Sequence, residues 1–214
     1  MSLITLTDPR SPQSEAYRAL RTNLQFYSLD NPIRSLVVTS PAGDEGKSTT
    51  VANLAVTLAQ SGRRTILVDC DLRRPSLHTL FDLPAEPGLT DVILSEDGAL
   101  PLQATAVENL SLLAAGPKPP NPADLLGSRK IDEVIARLQD EADIILFDAP
   151  PVIAVTDAAV LGSKVDGALL VISAGKTRRE HAERAKETLE RARVRIVGAT
   201  LTNAPSDGAL DDYY

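Results

Sequence analysis

The chain has 214 residues, a net charge of -7, 43% hydrophobic residues and only 3% aromatic ones, without tryptophan. That describes one domain with an aliphatic core and argues against a general nucleic-acid binder, which shows a basic face. Cys70 is the only cysteine, so no intramolecular disulfide framework is possible and a reducing, cytoplasmic setting fits.

No apolar run approaches the ~20 residues needed to cross a bilayer, and Met1 to Arg10 lack the apolar stretch of a secretion signal. Membrane association is therefore expected only through a partner or a fused segment absent from this chain. Along the chain, Ala16, Ala19, Leu20, Leu24 and Tyr27 recur at near-helical spacing and predict a helix over 14–29, capped by Ser11 or Ser14 and ended by Asp30-Asn-Pro32. A short apolar strand over 34–40 precedes a helix over 47–61, which Gly62 stops. Further strands are predicted over 65–69, 110–114, 143–148, 167–173 and 194–202. Helices are predicted over 88–94, 128–141, 154–161 and 178–192, with an extended proline-rich loop over 116–122. Buried-type strands alternating with amphipathic helices predict an α/β fold, a mostly parallel sheet with helices on both faces. Residues 1–204 are expected to form the domain, and 205–214 a mobile tail.

Three apolar runs stop at polar loops. The first leads into Ser40-Pro-Ala-Gly-Asp-Glu-Gly-Lys-Ser-Thr49, the second is Ile66-Leu-Val-Asp-Cys-Asp-Leu-Arg73, and the third is Ile145-Leu-Phe-Asp-Ala-Pro150. Ligands of such sheets bind beyond the carboxyl ends of the strands. In the first loop, Gly43 and Gly46 let backbone approach phosphate oxygens, and the amides of Asp44, Glu45 and the following helix start favour an anion. Lys47 can reach the β- and γ-phosphates of ATP, and Ser48, followed by Thr49, can ligate Mg2+. Pro41 stands where the G-x-x-x-x-G-K-S pattern begins with glycine, while the strand, the GKS run and the helix remain in place.

Asp69 and Asp71, two apart at a strand end, could share one face, one carboxylate holding a metal and the other accepting a proton. Arg73 adds a cation, and Asp148 at its strand end suits a magnesium site. Cys70 reads as a core thiol. Glu15, Arg18 and Arg21 fall along one helical stripe, a spacing that also fits a solvated salt-bridge ladder.

Taken together, these residues resemble the bacterial tyrosine kinases (BY-kinases), cytoplasmic autokinases of capsule and exopolysaccharide export. Asp69, Asp71 and Arg73 resemble that family's second nucleotide motif, and Phe147-Asp148-Ala149-Pro150 its Walker B segment. Glu15, Arg18 and Arg21 match its E-x-x-R-x-x-R oligomerisation motif, and Gly116-Pro-Lys-Pro-Pro-Asn-Pro-Ala-Asp-Leu-Leu126 resembles a loop of the same proteins. The resemblance implies a P-loop NTPase-like fold and transfer of the ATP γ-phosphoryl group to tyrosines of a neighbouring subunit in a ring-like homo-oligomer. It also implies a membrane polysaccharide co-polymerase as activating partner. By position, Lys47 would stabilise charge, and Ser48, Asp71 and Asp148 would hold magnesium. Asp69 would activate the tyrosine hydroxyl, with Asp69 and Asp71 exchangeable. Tyr213 and Tyr214, preceded by Asp211 and Asp212, are the candidate acceptors. Asn203 follows the last strand, where related folds often place an asparagine against adenine. The competing reading is a partition- or septum-positioning-type ATPase switch. Those relatives carry a second lysine five residues before the P-loop lysine, where this chain has Ala42.

Overall fold

The computed structural model describes residues 3–30, 32–95 and 99–205. In chain order the elements are α1 (Ile4–Thr7), α2 (Pro12–Asp30), β1 (Ser35–Thr39), α3 (Lys47–Gln60), β2 (Thr65–Asp69), α4 (Leu77–Phe81), α5 (Leu89–Leu94), β3 (Gln103–Ala104), β4 (Leu110–Leu113), α6 (Pro122–Gly127), α7 (Arg129–Glu141), β5 (Ile144–Asp148), α8 (Asp157–Gly162), β6 (Gly167–Ser173), α9 (Arg179–Arg191) and β7 (Ile196–Thr202). The strands form one sheet in the order β3-β4-β2-β5-β1-β6-β7. Every neighbouring pair is parallel except β3 with β4.

Every residue of β1, β2 and β5 is buried. Parallel strands covered on both faces need such continuous apolar runs. Alternation then sorts the side chains. Val37, Ile66, Val68, Ile145 and Phe147 pack on one face with residues of α5, α6, α7, α8 and α9. Leu36, Val38, Leu67, Leu146 and Leu169 pack on the other with residues of α2 and α3. The expected mostly parallel sheet between two helical layers is therefore the observed one. On the second face, buried Asn53 of α3 accepts from the amide and hydroxyl of Thr5, at 3.1 and 2.8 Å, and so anchors α1 behind the first loop.

Several boundaries differ from the periodicity. Strand β7 starts at Ile196, because the turn that closes α9 takes up the residues before it: Arg193 has φ 58° and the Val194 amide bonds the Leu189 carbonyl at 2.9 Å. Helix α8 starts at Asp157, because the amides of Ala154 and Val155 turn back onto the Pro151 carbonyl. The expected extended loop ends where Pro122 opens α6, proline being suited to a first helical position.

Candidate functional site

The site sits where β1, β2 and β5 end. The strand register pairs Asp69 with Asp148 and Val38 with Asp148, so both carboxylates leave the sheet side by side. They share the face of Leu67 and Leu146, on which α3 packs. The loop from Pro41 to Gly46 turns β1 into α3, with left-handed backbone at Asp44 (φ 57°) and Gly46 (φ 83°). Glycine suits the second position, since a side chain there would be strained and would meet Thr202 at 3.4 Å. At Gly43, by contrast, a Cβ would meet nothing within 4 Å. That open space beside a helix start leaves room for an anion to approach the backbone.

Lys47, the first residue of α3, is buried and turns its ammonium onto the strand ends. Its Nζ lies 2.5 Å from Asp148 Oδ1, 3.5 Å from Asp71 Oδ2 and 3.2 Å from Ser48 Oγ. Burial works against the ammonium, but Asp148, Asp71 and Asp69 outweigh it and raise its pKa, so the charge is held. Asp148 Oδ2 is buried with no hydrogen-bond partner. An orphaned carboxylate oxygen is costly inside a protein, and a hydrated divalent cation would satisfy it.

Asp69 is wholly buried. Its Oδ1 accepts from the Asp71 amide at 3.2 Å, and its Oδ2 accepts from the Ser76 and Leu77 amides at 3.0 Å each. Burial, then the neighbouring Asp148 charge, pushes its carboxyl up to about 7. Asp71 is 7% exposed, and its Oδ1 accepts from the Arg74 amide at 3.1 Å. Two carboxylates two residues apart thus occupy different settings.

The remaining sequence candidates are spread around this centre. The Glu45 side chain is buried, and its Oε2 accepts from the Ala42 amide at 3.1 Å and its Oε1 from the Thr177 hydroxyl at 2.5 Å. Any ligand contact at position 45 therefore belongs to the backbone. Arg73 forms a bidentate pair with the buried carboxylate of Asp157, both bonds 2.9 Å. Sequence reasoning missed Asp157, because the partners lie 84 residues apart. Asn203 has φ 54° and donates to Ser173 Oγ at 3.0 Å. With Gly46, Thr49, Thr202, Tyr17 and Leu20 it lines a cleft of about 580 Å³ between α2, α3 and the end of β7. Arg18 pairs with Glu15 at 2.9 Å, and Arg21 donates to the Thr57 carbonyl at 3.0 Å. Tyr213 and Tyr214 lie outside the described residues. Cys70 is buried, as a core thiol should be.

The ParA family model, described as NUBPL iron-transfer P-loop NTPase, matches residues 32–203. An iron–sulfur cluster is held by several cysteine thiolates. Here the single cysteine, Cys70, is sealed, and burial with the surrounding carboxylates pushes its thiol pKa well up. The chain is 44% identical to tyrosine-protein kinase YwqD of Bacillus subtilis, a match covering 94% of this chain and 85% of that one. It is 40% identical to putative tyrosine-protein kinase CapB of Staphylococcus aureus, covering 96% and 91%. Among solved structures, the kinase domain of Escherichia coli tyrosine kinase ETK superposes with a TM-score of 0.91 at 31% identity, covering 98% of this chain and 82% of that one.

Proposed function

The chain belongs to the bacterial tyrosine-protein kinases, within the ParA-type P-loop NTPases, and from that premise we propose that it transfers the γ-phosphoryl group of ATP to Tyr213 and Tyr214 of its own kind. The observation that carries this is the convergence of the Lys47 ammonium with Asp148 and Asp71 at the mouth of an open glycine loop. Phosphoryl transfer asks chiefly for positioning and charge neutralisation, which these groups supply.

Bound magnesium would offset charge on the β- and γ-phosphate oxygens. Ser48 and Asp148 would hold it, with Asp71 adjacent; the unpartnered Asp148 Oδ2 supports that assignment. Magnesium commonly takes only one or two carboxylates and completes its shell with water and phosphate. Amides 43–49 would cradle the phosphates, Lys47 would hold developing charge, and the adenosine would extend into the cleft beside Asn203. Arg73, held by Asp157, would border the phosphates rather than move freely.

Asp69 and Asp71 compete as acceptors of the tyrosine proton. Asp69 has the basicity, but its oxygens are already engaged by three amides deep in the fold. Asp71 has the access, so the exchange of the two is the reading favoured here. Asp71→Asn should then abolish phosphorylation while Mg-ATP still binds, and Asp69→Asn should retain part of the activity. The reverse pattern returns the role to Asp69.

Residues 1–204 are assigned to the kinase domain and 205–214 to the acceptor tail. Glu15, Arg18 and Arg21 are assigned to a contact between subunits of a ring. Among the described residues, no helix is long and apolar enough to cross a membrane. The polysaccharide co-polymerase tail is the proposed activator, and through it the protein would sit at the inner face of the membrane. Mass spectrometry after incubation with ATP and magnesium tests the reading. Phosphate on Tyr213 or Tyr214 supports it. Free phosphate without label on protein favours the ATPase switch, and neither product would leave a silent nucleotide-binding regulator.

A further inference from the structure

The first loop is gripped from outside by the turn that follows β6. Lys176 Nζ donates to the carbonyls of Asp44 at 2.6 Å and Gly43 at 3.3 Å. The neighbouring Thr177 hydroxyl donates to Glu45 Oε1 at 2.5 Å and accepts from the Ser173 amide at 3.0 Å. Buried Glu45 passes that grip on, accepting from the Ala42 amide at 3.1 Å through Oε2, while its carbonyl accepts from Thr202 Oγ1 at 2.8 Å. Residues 42–45 are thus fixed by contacts from two strand ends.

Amides that converge on a phosphate leave their carbonyls facing away, where like-oriented dipoles gather negative potential. An ammonium laid across two such carbonyls offsets that potential and favours the converged backbone. We infer that Lys176 is a positioning residue of the nucleotide site. It is the loop's second cation, supplied within one chain from the β6–α9 turn, and holds residues 43–45 in the phosphate-accepting shape. Ala42, where the switch-type relatives place their second lysine, offers the loop no charge of its own. The inference rests on reading the loop as an ATP site.

Calorimetric titration of the full chain with Mg-ATP and with Mg-ADP tests it on wild type, Lys176→Met, Lys176→Arg and Thr177→Val. Lys176→Met should weaken both nucleotides about tenfold, because the loop is common to both. Its melting temperature should stay within about 2 °C of wild type, since the contact is exposed. Lys176→Arg should restore most of the affinity, and Thr177→Val should weaken binding in the same sense. Unchanged affinity in Lys176→Met overturns the role of Lys176 and leaves the ATP site standing. So does a loss that follows a falling melting temperature and that arginine fails to rescue. A wild-type chain that binds neither nucleotide overturns the ATP site itself.

Discussion

Lys47 shows how one buried cation organises three carboxylates. Removing it leaves Asp69, Asp71 and Asp148 facing one another without the charge that offsets them. Lys47→Met should therefore cut autophosphorylation about 100-fold or more, the usual scale for a group aimed at developing charge, as read by label incorporation from ATP. Undiminished labelling would place the transfer elsewhere. Asp69 makes a prediction about pH. Unfolded aspartates titrate near ~4, whereas folded Asp69 titrates at about 7. Between those values the folded chain keeps a proton that the unfolded chain has lost, so this residue's contribution to stability falls as pH rises from about 4 to about 7. Burial raises Asp148 in the same direction. In Asp69→Asn the fall should flatten, so the variant should gain stability relative to wild type between pH ~5 and ~8. Urea unfolding of the nucleotide-free chain in chelator, at those two pH values, measures it. A constant difference between variant and wild type would refute the shift.

At the scale of elements, the start of α5 is tied by backbone hydrogen bonds to the residues just after β4, while its apolar side chains pack into the core. The amides of Leu89 and Thr90 bond the carbonyls of Ala114 and Ala115, at 2.8 and 3.0 Å. The approach is so close that a Cβ at Gly88 would stand 2.3 Å from both the Ala114 carbonyl oxygen and the Gly116 amide nitrogen. Those are backbone atoms that cannot swing aside, so Gly88→Ala should destabilise by about 3 kcal/mol, the upper range for overpacking. A thermal melt reads this directly, and an unshifted midpoint would mean that the loop yields. The close approach is invisible in the sequence, where Gly88 is only a helix-start glycine. The same division runs through the fold. Runs such as Ile144 to Phe147 were legible because burial on both faces demands continuous apolar residues. The strand-end aspartates were legible with them. The five residues of α4 are too short to display a helical period, and α6 is hidden because it opens on the last proline of a proline-rich run. The two-residue β3 lies below any pattern and exists only through its pairing with β4. Within the site, sequence spacing located Lys47, Ser48 and the carboxylates. It could not locate Asp157, Thr177 or Lys176, whose partners lie 84, 132 and 132–133 residues away in sequence, because sheet order alone brings them together.

At the scale of the whole molecule, the assignment of α2 to a subunit contact meets side chains that already have partners within the chain. Arg18 pairs with Glu15, and Arg21 reaches the Thr57 carbonyl of α3. A half-exposed pair of this kind contributes little to folding, so in the double variant Arg18→Ala, Arg21→Ala only the lost bond from Arg21 to Thr57 should lower the melting temperature, by a few degrees. If the stripe also joins subunits, the same double variant should shift the mass in light scattering toward smaller species. A constant mass would leave the stripe as a salt-bridge ladder with a link to α3. Transfer between subunits can then be separated from transfer within one. A Lys47→Met chain keeps its tyrosines but lacks the ammonium. A chain with Tyr213→Phe and Tyr214→Phe keeps the site but lacks the acceptors. Each alone should remain unlabelled by ATP. Mixed, they should give phosphate on the Lys47→Met chain, because its tyrosines can enter the intact site of the other. Labelling should then rise with total concentration and fall when Arg18 and Arg21 are both alanine. If the wild type labels while the mixture stays blank at every concentration, each tail serves only its own site and the ring has no part in the transfer.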